Sequence, residues 1–171
     1  MIYSRSAEYA IRALAHLARR NGGRGAAPAC VMAKTIAEEE GIPAQFLAKL
    51  LQQMARAGFL KSTKGPTGGF ALAEPAREIA LVRIIETVDG LEDQKRCPFS
   101  GGLCSDADPC GMHDKWKPLR QRIMDYLEKT SIEDLARSLG GRETGKDPGE
   151  QKKGARAPKS RGGRASAATK R

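Results

Sequence analysis

Three of the four cysteines in this chain fall within one short stretch, CPFSGGLCSDADPCGMH. Six residues separate Cys97 from Cys104, five separate Cys104 from Cys110, and two separate Cys110 from His113. Thiolates are soft ligands suited to zinc, copper(I) or iron–sulfur clusters, and an imidazole is a common companion. Structural zinc sites favour tight Cys pairs two to four residues apart, and only Cys110 and His113 are that close. The wider intervals suit an iron–sulfur cluster, where successive cysteines reach different iron atoms. The intervening Gly, Ser, Asp and Pro residues let the chain wrap a central object. A cluster, a zinc ion and a bare thiol switch are the three chemistries this pattern allows. The fourth cysteine, Cys30, stands alone and reads as a small buried or half-buried residue.

The elements around this loop must hold it. Residues 4–20 place Ala7, Ala10, Ile11, Leu14, Leu17 and Ala18 at helical spacing, and the NGGRGAAP run ends that helix. Residues 31–40 read as a short second helix stopped by Gly41. A third helix starts at Pro43, with Phe46, Leu47, Leu50, Leu51 and Met54 as its apolar stripe and Gly58 as its stop. Two alternating runs then flank KGPTGG, which has the chemistry of a hairpin tip. A helix over about 81–88 precedes the cysteine loop. A long helix over about 112–129 follows it, with Trp116, Leu119, Ile123 and Leu127 on one side. A last short helix opens at Thr130 or Ser131.

Short helix, tight glycine turn, longer helix and glycine-tipped hairpin is the order of a winged helix-turn-helix. In that fold the second helix of the pair enters the DNA major groove with its early, outward side chains. Here those are Gln45 and Lys49, with Phe46 partly available. Gln can bond adenine with two hydrogen bonds and Lys can reach guanine acceptors. At the hairpin, Lys61 and Lys64 can meet phosphates or the minor groove. The plain alternative is an amphipathic pair that only packs, with solvated lysines. The stripe on the long helix reads either as a dimer seam or as a face turned back on its own domain.

The net charge of +10 is uneven. Residues 140–171 carry ten Lys or Arg against three Asp or Glu, and no Leu, Ile, Val, Met or aromatic residue. Such a segment cannot offset its ordering entropy by burial, so a disordered basic tail is expected. It would be either a solubilising extension or a nonspecific nucleic-acid tether. Nothing approaches the ~18 apolar residues of a membrane span. Arg5 and Glu8 interrupt the start where a secretion signal needs an apolar run. A cytoplasmic protein with reduced thiols is therefore expected. Catalysis is not: the two histidines, His16 and His113, have no nucleophile–base arrangement around them. GPTGG lies in a hairpin rather than between strand and helix as a phosphate loop requires. A ferredoxin-like carrier would use the same cysteines but has no use for a helix-turn-helix.

Taken together, YSRSAEYAIRALAHLA, the run from IAEEEGIPAQFL to GPTGGFALA, LVRIIETVDG, the three-cysteine loop and TSIEDLA resemble the winged-helix regulators of the IscR/NsrR kind. The resemblance covers about residues 1–138. It implies a mainly α fold: a winged helix-turn-helix domain over 1–89, a cluster-binding loop over 90–111, dimerisation helices over 112–139, and the tail over 140–171. It also implies a homodimer on palindromic double-stranded DNA, with one iron–sulfur cluster per subunit whose state sets operator affinity. By resemblance Gln45, Phe46 and Lys49 fall on the recognition helix, and Lys64 takes the place of a wing Arg or Lys. Cys97, Cys104 and Cys110 match the ligand cysteines, although the first interval is six residues where the commoner pattern has five. For the fourth ligand, IscR-type members have a histidine at the place of His113, with a 2Fe–2S cluster. NsrR-type members have an acidic residue at the place of Glu8, donated by the partner subunit, usually with a 4Fe–4S cluster. His113 is favoured because it is local. A zinc-stabilised or thiol-switched winged-helix regulator without a cluster is the rival reading.

Overall fold

A computed structural model describes residues 3–20, 30–65, 68–90 and 96–140. The basic tail beyond residue 140, the linker after the first helix and the very tip of the hairpin lie outside them. Among the described residues the expected fold is found: six helices and one small sheet, in winged-helix order.

Helix α1, Arg5–Arg20, begins at Ser4, whose hydroxyl accepts the Ala7 N–H at 3.1 Å. Such a cap satisfies one of the free N–H groups of a helix start. The same Ser4 donates its backbone N–H to Asp89 at 2.8 Å, and its hydroxyl also reaches that carboxylate. One residue thus caps α1 and ties it to the end of α4, Leu81–Asp89. Along α1, Ala7, Ala10, Ala13, Leu14, Ala15 and Leu17 are fully buried. The helix packs against α2 (Ala33–Glu40), α3 (Ala44–Arg56), α4, strand β2 (Gly69–Leu72) and the last helix.

Helices α2, Ala33–Glu40, and α3, Ala44–Arg56, form the helix-turn-helix. The turn works because Gly41 adopts φ 64°, a left-handed conformation that is cheap only without a side chain. Its N–H and that of Ile42 both return to the Ala37 carbonyl region, closing α2. Ile42 is buried beneath the turn. Pro43 stands just outside α3 rather than in its first turn. Strands β1, Leu60–Thr63, and β2, Gly69–Leu72, pair antiparallel with Leu60 opposite Leu72 and Thr63 opposite Gly69. Val31 joins as a single-residue third strand, exchanging two 2.9 Å hydrogen bonds with Phe70. Gly69 is required there: a Cβ would meet the Val31 carbonyl oxygen at 2.4 Å. A short 3-10 turn at Ala76–Glu78, which the sequence pattern did not suggest, leads into α4.

The long helix α5 is His113–Lys129 and α6 is Ile132–Gly140. Ser131, not Thr130, caps α6. Its hydroxyl accepts the Asp134 N–H at 3.2 Å, and the Asp134 carboxylate accepts the Ser131 N–H at 3.0 Å. Ala80 and Ser131 pair across the backbone, joining the starts of α4 and α6. On α5 the predicted stripe divides. Leu127 is buried in this chain's own core, with Ile123 and Met124 packed beside it, whereas Leu119 and Tyr126 are exposed. Among the described residues no helix is long and apolar enough to cross a membrane.

Among the described residues four polar ones are buried: His16, Glu40, His113 and Ser131. Glu40, at the end of α2, is 7% exposed. It accepts from Arg19 at 2.6 Å and faces His16 Nδ1 at 3.0 Å, with Arg12 Nε at 3.5 Å. Burial alone would raise its pKa, but the His16 and Arg19 hydrogen bonds and the Arg19 charge outweigh burial and hold the carboxyl below its usual range. A group lowered in this way stabilises the fold above its unfolded pKa of about 4.3 and loses that contribution as pH falls through the lower folded value. Glu40→Gln should therefore destabilise the protein by about 2–3 kcal/mol near neutral pH, the scale of lost charged hydrogen bonds. The gap from wild type should close below about pH 4. Urea unfolding of both proteins across that range checks both the size and the sign.

Candidate functional site

Two surfaces collect the residues singled out by type and spacing. The first is the outer side of α3. Leu47, Leu50, Leu51 and Met54 face the core, which leaves Gln45 and Lys49 exposed on the opposite side. Phe46 is 42% exposed and meets Tyr9 edge to face at 5.8 Å. Gln52 and Arg56 continue the exposed stripe at helical intervals from Gln45 and Lys49. They were not among the candidates, although extending the same spacing would have found them. Lys61 on β1 and Lys64 after it are exposed on the wing. Cys30 is exposed beside the wing, 3.5 Å from the Thr63 hydroxyl, not buried or half-buried as its isolation suggested. Val31, next in sequence, fills the buried place.

The second surface is the cysteine loop. Its first part is a tight turn. Cys97 donates its backbone N–H to the Gly102 carbonyl at 2.7 Å, and Gly101 returns one to the Cys97 carbonyl at 3.0 Å. Arg96 and Leu103 pair across the base of that turn. Phe99 at its tip meets Trp116 of α5 edge to face, centroids 5.8 Å apart, which fastens the loop to the long helix. At the far end His113 is the first residue of α5 and donates its backbone N–H to the Cys110 carbonyl at 2.9 Å.

This folding gathers the four donors as two pairs. Cys97 Sγ lies 3.6 Å from Cys110 Sγ, and Cys104 Sγ lies 3.6 Å from His113 Nδ1. Cys97 and His113 are buried, and Cys104 and Cys110 are half-buried. Among the described residues no three His, Cys, Asp or Glu side chains converge on a single ion position. Two side chains absent from the sequence candidates complete the surroundings. Asp106 Oδ1 accepts from His113 Nε2 at 2.7 Å, and Lys117 donates to both Asp106 oxygens at 2.7 Å. The Lys117 and His113 hydrogen bonds hold the Asp106 carboxyl below the usual carboxylate range. Glu8 stands on α1, where its carboxylate lies 3.8 Å from the Arg12 guanidinium.

The Cys97 thiol is pulled down to about 6. The Ser100 side chain contributes most, followed by hydrogen bonds from the Phe99 and Ser100 backbone, and together these exceed the opposing effect of burial. A thiolate near neutral pH is what a soft metal needs, because the anion is the ligand.

Residues 3–138 match the sequence profile of the Rrf2 family, described as an iron-dependent transcriptional regulator. A protein of Aquifex aeolicus assigned as an HTH-type transcriptional regulator is 38% identical over 137 residues, covering 79% of this chain and 91% of that protein. The HTH-type transcriptional regulator IscR of Pectobacterium carotovorum is 35% identical over 100 residues, covering 58% of this chain and 60% of IscR. The match thus spans less than two thirds of that relative's length. Among solved structures, CymR (YrzC), the global cysteine regulator of B. subtilis, superposes with a TM-score of 0.64 at 24% identity. It covers 79% of this chain and 95% of the CymR chain, which establishes a common fold.

The geometry around Cys97 has a measurable consequence. In metal-free protein with Cys30, Cys104 and Cys110 changed to Ser, the remaining thiol should ionise far below the ordinary value of about 8.5. Adding Ser100→Ala should move it upward. Ultraviolet thiolate absorbance against pH reads both. Metal uptake by the intact chain should likewise weaken as pH falls through about 6.

Proposed function

The chain belongs to the Rrf2 family of transcriptional regulators, and from that premise we propose that it is a DNA-binding regulator whose operator affinity is set by an iron–sulfur cluster in the 97–113 loop. The observation that carries this reading is the pairing of donors. Two ligands bound about 2.3 Å from one tetrahedral metal stand roughly 3.7 Å apart, and both pairs here span 3.6 Å. Two such pairs suit a two-iron cluster, in which each iron takes two protein ligands. Cys97 and Cys110 would serve one iron, and Cys104 and His113 the other. Glu8 is the alternative fourth ligand, supplied across a dimer to a four-iron cluster. A bound cluster supplies a centre that iron supply, oxygen, nitric oxide or redox state can alter.

The protein's own part is to convert loop order into placement of α3. The loop joins α4 to α5. The end of α4 holds the cap of α1 through Asp89 and Ser4, and α1 supports α3. A ligand shifts such an equilibrium only by its differential affinity for the two states. A coupling of about 1–3 kcal/mol would change operator affinity roughly 5- to 150-fold. The partner is a second copy of the chain. Met112 just before α5, and Trp116, Leu119, Ile123 and Tyr126 on it, recur at alternating intervals of four and three, and Met112, Leu119 and Tyr126 are exposed. Such a dimer would present two α3 helices to a palindromic operator in the cytoplasm. Gln45 and Lys49 would read bases, Phe46 would pack against them, and Lys61 and Lys64 would meet the backbone. The basic tail would add a salt-sensitive tether.

A second reading keeps the DNA interface and replaces the cluster by thiol chemistry or a zinc ion. The low pKa of Cys97 and its closeness to Cys110 favour the thiol form.

Anaerobic purification decides between them. The cluster reading expects a brown protein with iron and sulfide in equal amounts, lost when Cys97, Cys104 or Cys110 becomes Ser. A colourless protein with stoichiometric zinc, or with no metal, would reject it. For the DNA half, selection from random duplexes should enrich a palindrome. Gln45→Ala should cost about 1–3 kcal/mol at one base position per half-site, and Lys64→Ala should weaken all sequences alike and flatten the salt dependence. No enriched motif with either holo or apo protein would reject the regulator role.

A further inference from the structure

The loop holds one side chain that neither the family match nor the spacing of thiols accounts for. Asp106 is exposed, yet its carboxylate is gripped from two sides by α5. His113 Nε2 lies 2.7 Å from Oδ1, and Lys117 Nζ lies 2.7 Å from each oxygen. His113 and Lys117 are four residues apart and therefore share one face of the helix, so a single carboxylate can bridge both.

A carboxylate only accepts hydrogen bonds, so Nε2 carries a proton. A neutral imidazole then has its lone pair on Nδ1. That nitrogen is turned inward, 3.6 Å from Cys104 Sγ. We infer that Asp106, braced by Lys117, is a positioning residue that holds His113 in its Nε2–H tautomer and so offers Nδ1 as the metal ligand beside Cys104. The arrangement is the one in which a ligating histidine donates its other ring N–H to a carboxylate, which fixes ring orientation and raises ligand basicity. If His113 served only to pin the loop, Lys117 and Asp106 would do so without it, and neither ring nitrogen would need to face a thiol. The ligand half of this inference rests on the cluster reading above; the tautomer half does not.

The chain has two histidines, which makes the test direct. Long-range proton–nitrogen NMR of metal-free protein at neutral pH reports the tautomer of each ring, with His113→Gln for assignment. His113 is expected as Nε2–H. His16, whose Nδ1 lies 3.0 Å from Glu40 Oε1 and whose Nε2 lies a longer 3.5 Å from Glu39, should keep Nδ1 protonated and so supplies an internal contrast. Asp106→Ala should abolish the Nε2–H preference of His113, and Asp106→Asn, which keeps an acceptor oxygen, should restore it. After anaerobic reconstitution, protein labelled with nitrogen-15 at Nδ1 alone should show hyperfine coupling in the reduced cluster, and protein labelled at Nε2 alone should show none of comparable strength. Asp106→Ala should hold iron about 10- to 100-fold less tightly against a chelator. An Nδ1–H tautomer in the wild type, dominant coupling from Nε2, or an intact cluster with no nitrogen coupling would each overturn the inference. A wild-type protein that takes up no cluster overturns the cluster reading and the ligand role together, and the tautomer spectrum still decides the clamp by itself.

Discussion

Close helix packing around α1 is the constraint from which the rest of this structure follows. Ala7, Ala10, Ala13 and Ala15 are fully buried together with Leu14 and Leu17. Small side chains let neighbouring backbones approach from several sides at once, and added volume there would force off-rotamer packing. Arg12, His16 and Arg19 meet Glu40 at the end of α2, and a buried carboxylate is tolerable only when so fully partnered. The same contacts fix where α2 ends, and the left-handed Gly41 then sets the direction in which α3 departs. The pose of α3, the second helix of the helix-turn-helix, is therefore a consequence of how α1 is buried.

The other end of α1 carries the link to the candidate metal centre. Ser4 spends its side chain on both the α1 cap and Asp89, the last residue of α4. Beyond Gly90 the chain enters the cysteine loop and returns at His113. The loop is held by a tight turn, by the Phe99–Trp116 contact and by the polar grip on Asp106, with little apolar burial of its own. Segments held in this way open more easily than a core does. Metal binding by such a loop is coupled to its ordering, since ligands must be deprotonated and assembled together.

The elements were legible in the sequence because their signals are local. Helical spacing of apolar residues placed α1, α3, α4 and α5 within a residue or two, Gly41 and Gly58 marked the ends of α2 and α3, and the glycine-rich tip marked the wing. The clustering of Cys97, Cys104, Cys110 and His113 was legible because such residue types are seldom found at that density. The outward positions of Gln45 and Lys49 followed from the same periodicity that buried Leu47 and Leu50.

What only the tertiary structure decided is whatever depends on residues distant in sequence. Periodicity put Trp116, Leu119, Ile123 and Leu127 on one side of α5 but could not say that the core would take Leu127 and leave Tyr126 outside, because that depends on the angle at which α5 crosses α4. Isolation made Cys30 look buried, whereas the pairing of Val31 with Phe70 turns its neighbour outward. Spacing supplied three cysteines and a histidine, but the division into Cys97 with Cys110 and Cys104 with His113 comes from the Gly-rich turn folding back on itself. Asp106 carries no signal in sequence at all: an aspartate in a loop is ordinary until α5 brings His113 and Lys117 to bear on it. Local stereochemistry determines which elements form, and only the packing of those elements determines which side chains meet.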